Sequence, residues 1–203
     1  MIGLLIVGGL VADRTLGKTG QVAVDACTWT VFSWLFFAGT RERRWVMVWC
    51  LAFATAGEAV LSLVWGLYDY QFGNLPLFVP PGHVLLFLLG QFLAKRMPAR
   101  LDDVVLWLGL PWFTLSLVLG IDRLSPCLFA LYVLASRSRT ERRLYVTMLL
   151  LALAMELEGT WLGNWAWKHH VPWLGVRTAN PPLAVGALYV VLDRLVVWGA
   201  RRS

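Results

Sequence analysis

The sequence predicts an all-α protein: a polytopic transmembrane helix bundle of about eight spans arranged as two parallel repeats. Of its 203 residues, 59% are hydrophobic and 15% are charged, and the mean hydropathy is +0.66. Such a composition is too apolar for a soluble domain of this length. The spacing of the apolar runs and the sidedness of the basic residues are the two other observations that predict this fold.

Eight apolar runs follow one another, separated by short polar gaps. They cover residues 1–12, 21–38, 45–66, 77–94, 104–119, 124–136, 144–166 and 181–199. A span usually takes about 20 residues, so we expect the short first and sixth runs to be tilted, re-entrant or extended into their flanks. The first run lacks a basic leading region and a cleavage site, which favours a retained helix over a secretory signal.

If every run crosses the membrane, the basic residues divide unequally between its two sides. Twelve lie on one side, namely Arg41, Arg43, Arg44, Lys95, Arg96, Arg100, Arg137, Arg139, Arg142, Arg143, Arg201 and Arg202. Five lie on the other, namely Arg14, Lys18, Arg123, Lys168 and Arg177. Cytoplasmic loops are enriched in Lys and Arg, so the sequence predicts cytoplasmic termini in a multi-pass protein of the inner (plasma) membrane. The same distribution explains the formal charge of +6 without a nucleic-acid partner, which we do not expect.

The chain is predicted to be a single transmembrane domain made of two repeats, residues 1–100 and 101–203. Three landmarks recur in the same order, at offsets of 99, 97 and 101 residues. They are Glu42-Arg43-Arg44 with Glu141-Arg142-Arg143, Gly66-x-Tyr68-x-Tyr70 with Gly163-x-Trp165-x-Trp167, and Pro80-Pro81 with Pro181-Pro182. Both copies start on the cytoplasmic side, so the repeat is parallel. The alternative is that basic caps, aromatic belts and prolines at helix starts recur in any membrane protein.

Three carboxylates, Glu58, Glu156 and Glu158, lie inside the third and seventh runs. An ionisable side chain within a span is costly and by default indicates a functional site. At about 1.5 Å per residue, Glu58 lies about 20 Å from the inner boundary of a hydrocarbon layer about 30 Å thick, and the other two reach nearly the same height. We expect Asp25 and His83 to converge on this layer, although each acid could instead hydrogen-bond a neighbouring helix, and His83 could bridge backbone groups.

Aromatic residues surround these acids in the sequence. Helical spacing predicts that Glu58, Ser62 and Trp65 share one face, and that Glu158, Trp161 and Trp165 share another. The candidate substrate-binding residues are Trp65, Tyr68, Tyr70, Trp161, Trp165, Trp167 and Asn180. An interfacial aromatic belt is the alternative for Tyr68, Tyr70, Trp165 and Trp167. The fourth and eighth helices are predicted to begin at Pro80-Pro81-Gly82 and Asn180-Pro181-Pro182.

Several kinds of chemistry are disfavoured by what the sequence contains. Three His without HxxxH spacing cannot supply the ligands of a membrane di-iron centre, and the three scattered Cys indicate neither a disulfide framework nor a zinc site. The chain has no GxSxG, P-loop or GxGxxG motif. We therefore expect no metal and no cofactor.

Acid chemistry in an apolar, aromatic-lined space remains. Burial favours the protonated form of a carboxyl group, so Glu58 or Glu158 is predicted to be a general acid. A proton added to a trisubstituted isoprenoid double bond gives a tertiary carbocation, which the π faces of Trp and Tyr stabilise. Glu156, Asp25 or His83 could be the base that activates water or removes a proton. Water gives hydration, an internal alkene gives cyclisation, and proton loss gives isomerisation.

The order of motifs resembles the membrane family of carotenoid-biosynthesis proteins that includes the acyclic-carotenoid hydratases. The resemblance covers roughly residues 45–95 and 144–195 and consists of Glu58, then Gly66-x-Tyr68-x-Tyr70, then Pro76-Leu77-Phe78-Val79-Pro80, and later Trp165-x-Trp167, Pro172 and Asn180-Pro181-Pro182. It implies a multi-span enzyme that adds water to terminal isoprenoid double bonds, with Glu58, Tyr68 and Tyr70 as the best-matched site residues. The Glu-to-Gly spacing and the Pro80-Pro81-Gly82-His83 element depart from the family pattern.

Three functional hypotheses follow from these observations. The first is a membrane-embedded enzyme that protonates a C=C bond of an apolar isoprenoid or lipid, most simply a hydratase, with cyclase and isomerase as variants. The second is a small proton-coupled transporter or lipid carrier, since such proteins also use repeats, Pro-interrupted helices and intramembrane carboxylates. The third is a scaffold protein, which predicts no cavity around Glu58.

Overall fold

Eight α-helices and one two-stranded sheet make up the described part of the computed structural model, residues 1–98, 100–137 and 141–202. The helices are α1 (Ile2–Thr15), α2 (Gly17–Ala38), α3 (Arg41–Glu58), α4 (Val79–Ala94), α5 (Leu101–Leu119), α6 (Leu124–Ala135), α7 (Arg142–Leu162) and α8 (Gly186–Ala200). The strands are β1 (Tyr68–Tyr70) and β2 (Trp165–Trp167). Arg139, one of the basic residues assigned to the cytoplasmic side, lies outside the described residues.

The all-α prediction is confirmed, and each apolar run contains one helix. Four helical segments are long and apolar enough to cross a membrane: Gly17–Ala38, Arg41–Val64, Leu101–Leu119 and Arg142–Leu162. Val79–Ala94 and Leu124–Ala135 are apolar but shorter. The chain therefore has the helices of a membrane protein.

Helix α3 does not end in a simple way after Glu58. It continues as a π-helical turn over Ala59–Val64, in which the Trp65 amide donates to the Val60 carbonyl at 2.8 Å. A π turn changes the rotation per residue, so spacings of 3.6 no longer define a common face beyond Glu58. The predicted shared face of Glu58, Ser62 and Trp65 is therefore not formed.

The other predicted face, Glu158 with Trp161 and Trp165, is not formed either. Helix α7 ends at Leu162, and Gly163 adopts a left-handed conformation with φ of 82°. This conformation is inexpensive only for glycine and terminates the helix. Trp165 consequently belongs to β2, where side-chain direction follows the strand and not the helix.

One of the two predicted proline starts is correct. Pro80 and Pro81 occupy the first turn of α4, where the missing N–H is harmless. Residues 180–185 instead form turns, with the Val185 amide donating to the Pro182 carbonyl at 3.0 Å, so helical hydrogen bonding begins only at Gly186. The prediction that α8 starts at Pro181-Pro182 was wrong.

Four helices form the centre of the bundle. Helices α3 and α7 each pack on both α4 and α8. The hairpin of α1 and α2 packs against α4, while α5 packs on α6 and α7, and α6 packs on α8. Met47, Val84, Met148 and Val190 are fully enclosed where the central helices meet. Helices α3 and α7, which carry Glu58, Glu156 and Glu158, therefore share the same two partner helices.

The two ends of the bundle are held by different polar contacts. At one end the Asn164 amide donates to Asp13 at 2.6 Å, and Arg14 donates to Gln71 at 3.1 Å, which ties α1 to the residue before β2 and the residue after β1. At the opposite end Arg201 donates to Glu141 at 3.1 Å. Both strands therefore lie at the end of the bundle where α1, α3 and α7 terminate.

Candidate functional site

The two strands pair across the bundle and turn four aromatic rings toward its interior. They run antiparallel, with Tyr68 opposite Trp167 and Tyr70 opposite Trp165. Successive side chains in a strand point to opposite faces, so the aromatic-x-aromatic pattern buries both rings of each strand and exposes the residue between them. Asp69 and Lys168 form an exposed ion pair between the strands. The ribbon thus covers the ends of α3 and α7 with Tyr and Trp side chains.

Glu58 lies beneath this ribbon at the end of α3, with only 6% of its surface exposed. Its Oε2 accepts hydrogen bonds from the hydroxyl groups of Tyr68, at 2.8 Å, and Tyr70, at 2.7 Å. Its Oε1 lies 3.5 Å from Nε2 of His83 on α4. All three neighbours can either donate or accept a proton.

Glu156 of α7 is equally buried and has a chemically different set of partners. Its Oε2 accepts from the indole Nε1 of Trp165 at 2.8 Å and of Trp167 at 3.1 Å. Its Oε1 accepts from the hydroxyl group of Tyr189 at 2.9 Å. Indole N–H groups can only donate, so Oε2 of Glu156 cannot carry a proton while both tryptophans bind it.

His83 connects the two carboxylates. Its ring stacks on the ring of Tyr189 with centroids 4.9 Å apart and planes 3° from parallel. Its Nδ1 lies 3.1 Å from the Val79 carbonyl oxygen, which can only accept, so Nδ1 carries a hydrogen. Nε2 is then the nitrogen that faces Glu58, and a stable contact requires one proton between them, on His83 or on Glu58. At 3.5 Å the two atoms are slightly beyond normal hydrogen-bond distance, so a small approach would bring them into range for proton transfer.

Two cavities border this cluster on opposite sides. One, of about 60 Å³, lies among α1, α2 and α4, and the other, of about 360 Å³, lies among α3, α6 and α8. Both are lined by the same five polar or aromatic residues, namely Glu58, Tyr68, His83, Glu156 and Tyr189. These five, which we call the partition, separate two otherwise predominantly apolar chambers. Glu58 therefore faces open space, and the scaffold hypothesis, which predicted none, loses its support.

Glu158 and Asp25 are not brought into the site. Glu158 is two positions after Glu156 on α7, about 200° around the helix, and lines neither cavity. Asp25 is half-buried on α2, with its Oδ1 lacking a hydrogen-bond partner, and also lines neither cavity. Three of the five ionisable groups predicted to converge do so: Glu58, Glu156 and His83.

Three of the candidate binding residues also lie outside the site, namely Trp161, Trp65 and Asn180. Trp161 is 84% exposed on the outside of α7, as expected for a side chain facing lipid. Trp65 donates to the Pro172 carbonyl at 3.0 Å and stacks on Trp173, away from both cavities. Asn180 is exposed and accepts from the Trp167 amide at 2.9 Å, so it supports β2 without lining the site.

Tyr189 was not identified from the sequence. It stands among apolar residues in the middle of the eighth run, and it is a member of the partition through its contacts with both Glu156 and His83. A lone polar hydroxyl in an otherwise apolar span was the available signal. Buried Tyr hydroxyl groups usually have a partner, but the sequence does not say which one.

Comparison of the chain with protein-family models, with curated proteins and with solved structures gives no match.

Proposed function

We propose that the chain is a membrane-embedded enzyme of isoprenoid or lipid metabolism that protonates a C=C bond. One observation carries the proposal: two buried glutamates with different partners lie side by side between apolar cavities. Burying a carboxylate in such a place is costly, so its presence there indicates a functional site. Here Glu58 has three partners that can exchange protons, whereas Glu156 accepts two indole N–H bonds that favour its charged form.

In the proposed reaction, Glu58 in its protonated form transfers its proton to one alkene carbon. The electron pair of the π bond forms the new C–H bond and leaves a tertiary carbocation on the other carbon. Glu156 supplies a negative charge beside that cation, and the faces of Tyr68 and Tyr189 supply π density. Both groups stabilise the cation without forming a bond to it.

The fate of the cation defines the reaction type, and hydration is the form we favour because of the resemblance to acyclic-carotenoid hydratases. A water molecule adds its oxygen to the cation and loses one proton to the Glu58 carboxylate, directly or by way of Nε2 of His83, which passes it on to Glu58. The proton borrowed from Glu58 is thereby returned, and the net change is addition of one water. Attack by an internal alkene would give cyclisation, and loss of a neighbouring proton would give isomerisation.

We also propose that the bundle spans the inner membrane eight times as two parallel repeats, with both termini in the cytoplasm. The two glutamates support this, since each accepts two bonds on Oε2 from its own following strand and one contact on Oε1 from its own following helix. Glu58 precedes Tyr68 by ten residues and Glu156 precedes Trp165 by nine. The π turn after Glu58 takes up that one-residue difference.

The direct test is turnover of acyclic isoprenoid hydrocarbons by purified protein in D₂O. Protonation by an exchangeable carboxylic acid predicts one deuterium on carbon per product, and hydration predicts a mass gain of one D₂O. Glu58→Gln removes the transferable proton and is expected to lower turnover by about 10²- to 10⁴-fold. Glu158→Gln, on the same helix as Glu156 but outside both cavities, is the matched control and should keep its rate. Equal rates in both variants would eliminate Glu58 as the acid.

A second candidate function is a proton-coupled transporter or lipid carrier. The observation that favours it is that the same acids border cavities on opposite sides of the partition. A carrier predicts substrate uptake into proteoliposomes that depends on a pH gradient, with no chemical change in the substrate. Gradient-driven uptake of a substrate that is recovered chemically unchanged would support the carrier and contradict the enzyme proposal.

A further inference from the structure

The two cavities differ in size and in how they are closed. Among the residues that line the smaller one, none is strongly exposed, so it is the more enclosed of the two. The larger one includes Val60, Leu131 and Leu195, whose exposed fractions are 52%, 36% and 42%. These three side chains belong to the outer surface as well as to the cavity wall. The larger cavity therefore opens sideways, and the smaller one is more enclosed.

The opening lies between α3 and α6 and above α8. Both α3 and α6 pack on α8, but across the described residues they share no substantial contact with each other. The rim residues are aliphatic and lie in helices whose outer faces carry exposed hydrophobic side chains. In a membrane this surface faces lipid, so the opening joins the larger cavity to the hydrocarbon interior of the bilayer. A ligand that uses it must itself be dissolved in the bilayer.

The lining on either side of the partition limits the chemistry of that ligand. Outside the partition, the larger cavity is lined by aliphatic and aromatic side chains, with the Trp167 indole committed to Glu156. The smaller cavity adds only the Thr28 and Tyr70 hydroxyl groups and the Trp165 indole, the latter two again bonded to the glutamates. Neither chamber offers a charged group beyond Glu58, His83 and Glu156. Polar head groups would therefore remain unpaired inside the bundle.

From this geometry we infer that one chain-like hydrocarbon enters end-first from the bilayer between α3 and α6, crosses the partition, and places its leading end in the smaller cavity. The inference rests on the proposed function for the identity of the reacting bond. Because this cavity has a volume of only about 60 Å³, the bond beside Glu58 and His83 lies close to the leading end. The long remainder of the chain fills the larger cavity and extends through the opening into the lipid.

Two glycines, one in each cavity wall, provide a matched pair of variants. Gly82 of α4 lines the smaller cavity and Gly57 of α3 lines the larger one. A Cβ added at either position meets no atom within 4 Å, so a larger side chain is accommodated by the cavity itself. Gly82→Val reduces a chamber of about 60 Å³, whereas Gly57→Val reduces one of about 360 Å³. The same chemical change thus tests the smaller and the larger cavity separately.

The experiment uses squalene-like probes that carry a diazirine at the chain end or at mid-chain, reconstituted with the full protein in vesicles. After illumination, the cross-linked residues are mapped by peptide mass spectrometry. We expect the end-labelled probe to mark Leu5, Ile6 or Thr28, and the mid-chain probe to mark residues of the larger cavity or its rim. Gly82→Val should reduce end labelling in the small cavity at least fivefold, and Gly57→Val should leave it within about twofold.

The outcomes separate this inference from the proposed function. Labelling as expected without any deuterium incorporation would leave the lateral route intact and remove the enzyme. Turnover combined with end labelling only at the rim, or equal effects of the two glycine variants, would overturn the lateral route and leave the enzyme. If Gly82→Val lowers the amount of folded protein, Gly82→Ala, which adds a single methyl group, gives the same comparison with Gly57→Ala.

Discussion

At the scale of single residues, the two glutamates resemble each other in burial but differ in what surrounds them. Glu58 is bound by two phenols and faces an imidazole, all of which can give or take a proton. Glu156 is held on Oε2 by two indoles that can only give. A general acid needs partners of the first kind, and a fixed negative charge needs partners of the second kind. In the proposed reaction, the chemical roles therefore follow from the neighbours and not from the acids.

This difference predicts the behaviour of Glu156→Gln. The amide oxygen can still accept from both indoles while its NH₂ donates to the Tyr189 oxygen, so the variant should fold with nearly unchanged thermal stability. Loss of the charge beside the cation should lower turnover by about 10²- to 10³-fold. Rate assays and thermal unfolding in detergent measure the two effects. A variant that unfolds readily, or one that keeps full rate, would contradict the assigned role.

At the scale of elements, the strand pair decides which aromatic side chains reach the acids. Gly163 ends α7, and the next residues form β2, so Trp165 and Trp167 turn inward onto Glu156. Gly159 of α7 makes room for this, because a Cβ there would lie well inside contact distance of the Trp165 six-membered ring. Helix and strand can pack this closely only because that glycine has no side chain.

We therefore predict that Gly159→Ala disrupts the contact between α7 and β2. The added methyl group forces the Trp165 ring away, which should destabilise the fold by about 1–3 kcal/mol and lengthen the bond to Glu156. Gly57→Ala in α3 is the control, since its methyl group meets nothing within 4 Å. Replacing a helical glycine by alanine there should stabilise by about 0.5–1 kcal/mol. Detergent unfolding midpoints that fall by the same amount in both variants would refute the predicted steric origin.

At the scale of the whole molecule, the helix ends gather into two polar layers with an apolar bundle between them. One layer holds the strands and the network of Asp13, Gln71 and Asn164, and the other holds Glu141 with Arg201. Exposed aliphatic and aromatic side chains cover the outside of the helices between the layers. A bilayer satisfies such a surface, and water does not.

The proposed orientation predicts which layer faces the cytoplasm. The test uses two single-cysteine variants in a background that lacks Cys27, Cys50 and Cys127. They are His169→Cys, in the loop after β2, and Arg43→Cys, in the first turn of α3. A membrane-impermeant maleimide should label His169→Cys in spheroplasts and Arg43→Cys only in inside-out vesicles. The reverse pattern would invert the topology. Labelling of both on the same side would show that an even number of spans separates the two positions, which would contradict the proposed topology.

The sequence by itself determined the number and places of the helices, because apolar runs of about the right length can satisfy their backbone hydrogen bonds in lipid only as helices. It also determined that Glu58, Glu156 and His83 lie deep in the chain's apolar segments. What the tertiary structure decided was which of the acids share a site. The π turn after Glu58 and the left-handed Gly163 broke the helical spacing on which the predicted faces depended. The pairing of β1 with β2, between residues 95 to 99 positions apart, placed the aromatic rings on Glu156 and not on Glu158, and the packing of α8 on α7 added Tyr189. Contacts of such sequence separation cannot be read from local spacing.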